Sequence, residues 1–396
     1  MKGYNFMIVE LFIALRHITE RKFQSIFSIL GVSIGVTVFI VSLTVSNGLE
    51  KNMIDSLLTL TPHITMKSGY GNIIEDYETK SAELKKIDGV TAVIPKYSNQ
   101  AIIKYKEMAK GVIANGMTAE NVSKDLKMKF INGKNDISEL NSILVGEEFS
   151  KEMGIDVGNE ISIVSAENKE IKLVIRGIFK TGYYDYDSNL VILPLTTMQI
   201  LSEKGETVTE IGINVKNPQN LESQLKSVNE KAAVFGNNNL GIYSWSELNQ
   251  NLLSAVKFEK FVLVSILSLL IMIACFAVSV ILNMIVREKT KDIGILKSIG
   301  YSNKNIRRIF TIEGLIIGLS GMILASIMSP LVLLLLKKMF KLFMKTTYYL
   351  EELPLYISMK EIILIYIVTI IIVFLSTLYP AIKASRLKPV EALKHE

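Results

Sequence analysis

Two stretches of this chain cannot sit in water. Residues 26–46 and 261–286 run for 21 and 26 residues without a charged side chain. At ~1.5 Å per residue, a helix over either stretch crosses the ~30 Å hydrocarbon of a bilayer. Two more apolar runs follow, 309–336, broken only by Glu313, and 362–382, just after Glu361. What separates the first pair is different: residues 48–258 are of mixed polarity, with nothing long enough to span. The expected fold is therefore an α-helical membrane protein with four transmembrane helices (26–47, 259–286, 309–336 and 361–382). A large mixed α/β and β-rich extracytoplasmic domain is expected at 48–258, between helices one and two.

The composition agrees with a chain that is part embedded and part solvated. Hydrophobic residues make up 49% and charged residues 21%, too apolar for a typical soluble protein and too charged for a wholly buried one. The formal charge of +6 does not indicate nucleic acid, because the Lys and Arg cluster beside the apolar runs without interleaved aromatics. A single cysteine, Cys275, leaves no internal disulfide and no thiolate cluster. The three histidines, His17, His63 and His395, have no spacing that converges on a metal, so they read as structural or solvated. No metal site is expected.

Residues 1–25 read as an interfacial helix, with Phe6, Val9, Phe12 and Ile13 on one side and Glu10, His17 and Glu20 among the polar positions. The run from 26 onward is longer than a signal core and has no small-residue cleavage pattern, so it is expected to stay as an anchor. Two GxxxG pairs, Gly31/Gly35 and Gly314/Gly318, suit close helix packing, the alternative being simple tolerance of glycine. Glu313, about one turn into its run, reads as an interfacial anchor within reach of Arg308 rather than as a proton path.

The insert opens and closes on similar units. HITMKS, a helical ETKSAELKKIDG and TAVIPKYSNQAIIKY are answered later by TEIGINVK, a helical PQNLESQLKSVNEKA and LGIYSW. Each reads as strand, helix, strand, and the two are expected to pair into one subdomain, 48–110 with 206–258. Short strand patterns between them (SILVG, EISIVS, IKLVIRGIFK, NLVILP) make 111–205 a β-rich inserted subdomain. Asp185 and Asp187 could serve as an acid–base or metal-binding pair. They flank a Tyr-rich turn with no third ligand nearby and read as a structural loop.

The segment 287–308, REKTKDIGILKSIGYSNKNIRR, is the other distinctive feature. Ile293, Leu296 and Ile299 recur at helical spacing among charges, and Gly300 stands where a helix would stop. It reads either as a surface helix offered to a partner or as a basic loop that only fixes topology. The candidate coupling residues are Glu288, Lys289, Asp292, Ile293, Gly294, Leu296, Lys297 and Gly300, with Ile293 and Leu296 expected on the docking surface. Lys and Arg number four in 1–22, seven in 287–308 and four in the tail 383–396, against five in the opposing loop 337–360. Both termini are thus expected in the cytoplasm, in a multi-pass protein of the cytoplasmic (inner) membrane. There is no GxxxxGK[ST], HExxH, GxSxG or CxxC, so no catalysis is expected of this chain alone.

At this point the residues resemble a family. NGLEK after helix one, REKTKDIGILKSIGYSNKNIRRIF after helix two, YYLEELPLYIS, LSTLYPAIKASRLKPVEALKHE and the external GIFKTGYYDYDSNLVILPLTTMQIL are similar to the lipoprotein-releasing (LolC/LolE-like) ABC permease subunits of the MacB/FtsX superfamily. The resemblance covers nearly the whole chain. It implies a separate cytoplasmic ABC ATPase dimer carrying ATP and Mg, a second permease subunit (a copy or a sister), and mechanotransmission to the external domain. It further implies lipoprotein cargo taken from the membrane lipid into a cavity between helices one and two of the two protomers, with Phe39, Leu43, Phe261 and Leu263 as candidate cavity residues. A periplasmic carrier is also implied in some members, through a longer hook. Here EISIVSAENKEIKLVIRGIF leaves only the turn Ala166 to Lys169. Two other functions fit the same family: MacB-type efflux of peptides, toxins or antibiotics, and an FtsX-like scaffold that activates a cell-wall hydrolase.

Overall fold

The structure, a computed structural model, describes residues 2–69, 73–124, 126, 128–218, 221–235, 240–343, 350 and 352–388. The end of the tail, with His395, lies outside the described residues. The chain divides into two compact units, Met1–Glu50 with Val256–Glu396, and Lys51–Ala255.

In chain order the elements begin with α1 (Lys2–Glu20) and α2 (Lys22–Leu57). The insert follows with β1 (Ile64–Ser68), α3 (Tyr77–Leu84), β2 (Val90–Tyr105), β3 (Met108–Met117), α4 (Ala119–Lys124), β4 (Lys129–Gly133), β5 (Ser142–Gly146) and α5 (Glu147–Met153). It continues with β6 (Glu160–Ser165), β7 (Glu170–Lys180), α6 (Tyr184–Asn189), β8 (Leu190–Pro194), α7 (Leu195–Ser202), β9 (Glu210–Val215), α8 (Glu222–Val234), β10 (Leu240–Ser244) and α9 (Trp245–Leu248). The chain then returns as α10 (Gln250–Glu288), α11 (Thr290–Ser298), α12 (Asn303–Phe343) and α13 (Met359–Ser385).

Four of these helices, α2, α10, α12 and α13, are long and apolar enough to cross a membrane. They overrun the apolar stretches that announce them: α2 runs on to Leu57, α10 starts at Gln250, and α12 reaches from Asn303 to Phe343. Apolar length sets how much of a helix is embedded, whereas the helix itself continues until a cap or breaker stops it. Pro330 and Pro380 lie inside α12 and α13. Spanning helices tolerate such breakers when neighbours satisfy the freed carbonyl.

The second GxxxG pair packs helices as its pattern suggests. A Cβ on Gly314 would overlap Thr377 of α13, and one on Gly318 would fall 2.7 Å from Val373. The first pair is different, because Gly31 faces open space and Gly35 makes only an ordinary contact with α10. The close approach to α2 comes instead from Gly321 on α12, whose Cβ would lie 2.8 Å from Val32.

In the insert, β10, β1, β9 and β2 form a sheet in that order with antiparallel neighbours. It is the interleaved product of the two strand-helix-strand units, a split βαβ arrangement. Glu210 on β9 sits between Lys67 of β1 and Lys96 of β2. The second part of the insert is a ring: β2 pairs β3, then β8, β5, β7 and β6 follow, and β6 returns to β2. This closed barrel encloses side chains such as Ile103, Ala114, Ile143, Ile163, Leu173 and Val191, all fully buried.

The expected boundary at 110/111 is corrected here, since it cuts through β3. The handover occurs inside β2, whose residues 90–96 pair with β9 while 97–105 pair with β3. A strand that crosses from one sheet to the next needs no turn, so no Gly or Pro cluster marks the point. Pro95 fits because β2 is the edge of the first sheet, where a missing N–H costs no ladder bond.

Candidate functional site

The membrane unit carries two clusters of interest, one at each end of its helices. The first is α11. Gly300, at φ +103°, ends it in the left-handed region, with Gly300 N–H donating to Lys297 O (3.1 Å) and Tyr301 N–H to Leu296 O (3.0 Å). These two bonds make a Schellman stop, closed by the apolar pair Leu296 and Tyr301. Ion pairs then tie the helix to its neighbours. Lys289, the residue before α11, reaches Glu20 of α1 (2.9 Å) and Asp292 (3.1 Å), and beside it Arg21 pairs with Glu288 at the end of α10. The Lys289 hydrogen bond, then that of Arg16, holds the Glu20 carboxyl down at about 2. Lys297 donates to the carbonyls of Ser385 and Leu387, each at 2.7 Å, and so caps the C-terminus of α13.

The orientation of α11 corrects the expected docking surface. Ile293 is 2% exposed and Gly294 is buried, both turned into the unit's own core, and Leu296 packs partly against it. The apolar groups actually presented are Ile295 and Ile299, at 52% and 69% exposure, beside the exposed Glu288, Lys291 and Asp292. Three- and four-residue spacing finds an apolar face but not the direction in which it points.

Glu313 also differs from expectation. Its carboxylate meets Nδ1 of His17 on α1 at 3.4 Å rather than Arg308, and His17 rests against Phe310 with ring centroids 5.9 Å apart. Glu10, Ala14 and His17 form the buried stripe of α1. Burial pushes the Glu10 carboxyl up, with the Arg308 charge opposing. His63, in the insert, is structural: its Nδ1 accepts from Val215 N–H at 2.9 Å.

The second cluster lies at the end where the chain leaves for residues 51–255. Phe39 and Leu43 of α2, Val264, Ser268 and Ile271 of α10, and Leu364, Ile365, Val368 and Ile372 of α13 line a slot of about 210 Å³. Lys260 and Glu361 stand at its mouth, 3.1 Å apart. The Lys260 ammonium also donates to Asn47 Oδ1 (2.7 Å) and lies 3.6 Å from Glu50, while the Asn47 amide donates to Glu361. Above it the 352–358 loop crosses α2. Tyr356 N–H donates to Thr44 O (3.2 Å), and any Cβ on Gly48 would overlap the Pro354 carbonyl.

Of the candidate cavity residues, Phe39 and Leu43 line this slot, Phe261 is 68% exposed, and Leu263 packs against the helix core. The slot lies within one chain and takes a wall from α13, whereas the expected cavity lies between two protomers. The available signal was Lys260 and Glu361, each a charge at the very border of an apolar run. In the insert, Asp187 is fully buried and accepts from Thr181 N–H (2.8 Å), Thr181 Oγ1 (2.9 Å) and Gly182 N–H (3.1 Å), which fixes the Tyr-rich turn.

Four spanning helices with a large insert after the first define a multi-pass membrane protein with an extramembrane domain. Comparison with known families gives the class a name. Residues 25–230 match the MacB-like periplasmic core domain and residues 262–389 the FtsX-like permease C-terminal domain. The first match alone covers more than half the chain, and the chain belongs to this MacB/FtsX permease family. Relatives along the full length include the lipoprotein-releasing system transmembrane protein LolC of Xylella fastidiosa, 28% identical over 97% of this chain and 98% of the relative. LolC of Neisseria meningitidis is 27% identical over 98% and 99%. LolE of Haemophilus influenzae is 23% identical over 93% of each.

Proposed function

We propose that this chain is the permease subunit of an ABC transporter that releases lipoproteins from the outer leaflet of the inner membrane. A separate ATPase dimer, holding ATP and Mg, would drive it. The observation that carries the reading is the slot between α2, α10 and α13, an apolar groove with a charged mouth at the insert end of the helices. Basic residues concentrate at the other end, and the positive-inside rule supports a topology with α11 and both termini in the cytoplasm and the insert outside.

In this scheme the ATPase seats against Ile295 and Ile299. Motion of α11 reaches α13 through Lys297, and the α1–α2 junction through Glu20 and Arg21. α2 and α10 are single helices of 36 and 39 residues that continue past their apolar stretches. A second permease subunit, copy or sister, would complete the transporter. The β6–β7 connection is a tight four-residue turn in which Ser165 N–H donates to Lys169 O at 2.9 Å, so this subunit offers no long hook to a periplasmic carrier.

The test is to purify the chain in mild detergent with its native companions and identify them by mass spectrometry. An ATPase together with acylated polypeptides supports the reading. An ATPase with an adaptor protein or a cell-wall hydrolase, and no lipoprotein, would replace it with efflux or with the scaffold function.

A further inference from the structure

At the mouth of the slot the side-chain donors are already engaged and acceptors are in surplus, and this determines what kind of head group it can take. An ammonium has three N–H donors. Those of Lys260 face three acceptors, Asn47 Oδ1 at 2.7 Å, Glu361 at 3.1 Å and Glu50 at 3.6 Å. The Asn47 amide is turned to Glu361 as well. What is left for a ligand among the described residues is carboxylate lone pairs, most of all on Glu50, whose one contact there is the long one to Lys260. The count of charge agrees, because one lysine faces two glutamates. Both carboxylates are about one-third exposed, so a ligand can reach them.

The apolar part sets the tail. From Lys260 to Ile271 on α10, and from Glu361 to Ile372 on α13, the lining descends eleven residues. That is a depth of about 16 Å, or one leaflet of a ~30 Å hydrocarbon core. The volume of about 210 Å³ is below the ~300–1,000 Å³ of sites that enclose a whole small ligand. One side of the slot is formed by Leu364 and Val368, 60% and 39% exposed, so the slot is open to the side.

We infer that the slot holds one acyl chain of an amphiphile whose head presents a free, protonated primary amine to Glu50 and Glu361. This rests on the lipoprotein reading above and narrows it. The favoured cargo is an S-diacylglyceryl cysteine with an unblocked α-amine. Acylating that nitrogen removes the charge and leaves one N–H, and an anionic head would meet carboxylates with no donor to spare.

The experiment uses the full-length chain in nanodiscs of phosphatidylcholine and phosphatidylglycerol, which lack primary amines. Two fluorescent lipopeptides are titrated at pH 7, identical except that one has a free N-terminal amine on its S-dipalmitoylglyceryl cysteine and the other is N-acetylated. The free-amine peptide is expected to bind about five- to tenfold more tightly, as suits a charge-assisted contact that is partly solvated. Glu50→Gln, which leaves the Lys260–Glu361 pair in place, should remove most of that preference, as should Glu361→Gln. Val368→Trp should weaken both peptides equally by crowding the slot from its open side. Equal or tighter binding of the acetylated peptide to the unaltered chain overturns the inference and leaves the lipoprotein reading standing. If neither peptide binds, or if both bind and Val368→Trp weakens neither, the inference and the lipoprotein reading of the slot both fall.

Discussion

Replacing Lys297 by Met keeps most of the aliphatic stem and removes the ammonium that joins α11 to the end of α13. In the structure that ammonium donates to two carbonyls, Ser385 O and Leu387 O, both at 2.7 Å. A hydrogen bond from a charged donor contributes about 1.5–3 kcal/mol net, and a cation at a helix C-terminus adds about 0.3–1 kcal/mol. Against this stands the desolvation of the half-buried ammonium, the same cause that pulls the Lys297 pKa down. A net loss of about 2–3 kcal/mol for the last turn of α13 follows, which corresponds to roughly 30- to 150-fold faster local opening at about 1.4 kcal/mol per tenfold. Hydrogen exchange followed by mass spectrometry reads this directly in peptides covering 380–388, where Arg386 N–H bonds to Ile382 O. Lys297→Arg, which keeps a donor, should lose much less. If the Met variant exchanges there at the parental rate, the cap does not hold α13, and the proposed path from the ATPase to the fourth spanning helix has no mechanical link.

Substitutions on the two faces of α11 should separate docking from folding. Ile295→Asp with Ile299→Asp should abolish co-purification of the ATPase and leave the thermal unfolding of the permease unchanged. Ile293→Asp forces a carboxylate into the core and should destabilise the membrane unit by several kcal/mol, seen as loss of the purified protein or a lower Tm. Gly314→Ala should cost about 1–3 kcal/mol through overlap with Thr377, and Thr377→Ala should recover much of it in the double variant, a non-additive outcome measured by thermal unfolding. In the insert, burial works to raise the pKa of Glu210, but Lys96 and then Lys67 outweigh it and the folded value lies below the ordinary one. Its contribution to stability is therefore complete above about pH 4.5 and falls away as the pH drops further. Acid unfolding of the protein, followed by the fluorescence of Trp245 at the end of the same sheet, should set in at higher pH in Glu210→Gln than in the parental protein, and a lower midpoint in the variant would refute this sign.

How much of this could be read from residues alone varies with the kind of signal. Charge-free length locates the spanning helices because the bilayer imposes a minimum, and repeated strand-helix-strand patterns reveal the split sheet because each unit is local. The barrel closure was not legible: β6 meets β2 through residues about sixty positions apart, Ile103 facing Ile163, and no local pattern encodes that pairing. The same limit applies to Ile293, which has the spacing of a presented face and yet lies in the core, because direction depends on which helices surround it. The slot shows a third kind of limit. Asn47, Gly48 and Glu50 stand within one short motif, Pro354 and Tyr356 within another, and Lys260 and Glu361 begin two separate apolar runs. Each is unremarkable where it stands, and together they form one mouth. A charge at the start of an apolar run normally marks only where the membrane begins. Here two such charges on adjacent helices neutralise each other over an apolar slot, with a second glutamate left over, and that surplus acceptor is what gives the site a preference.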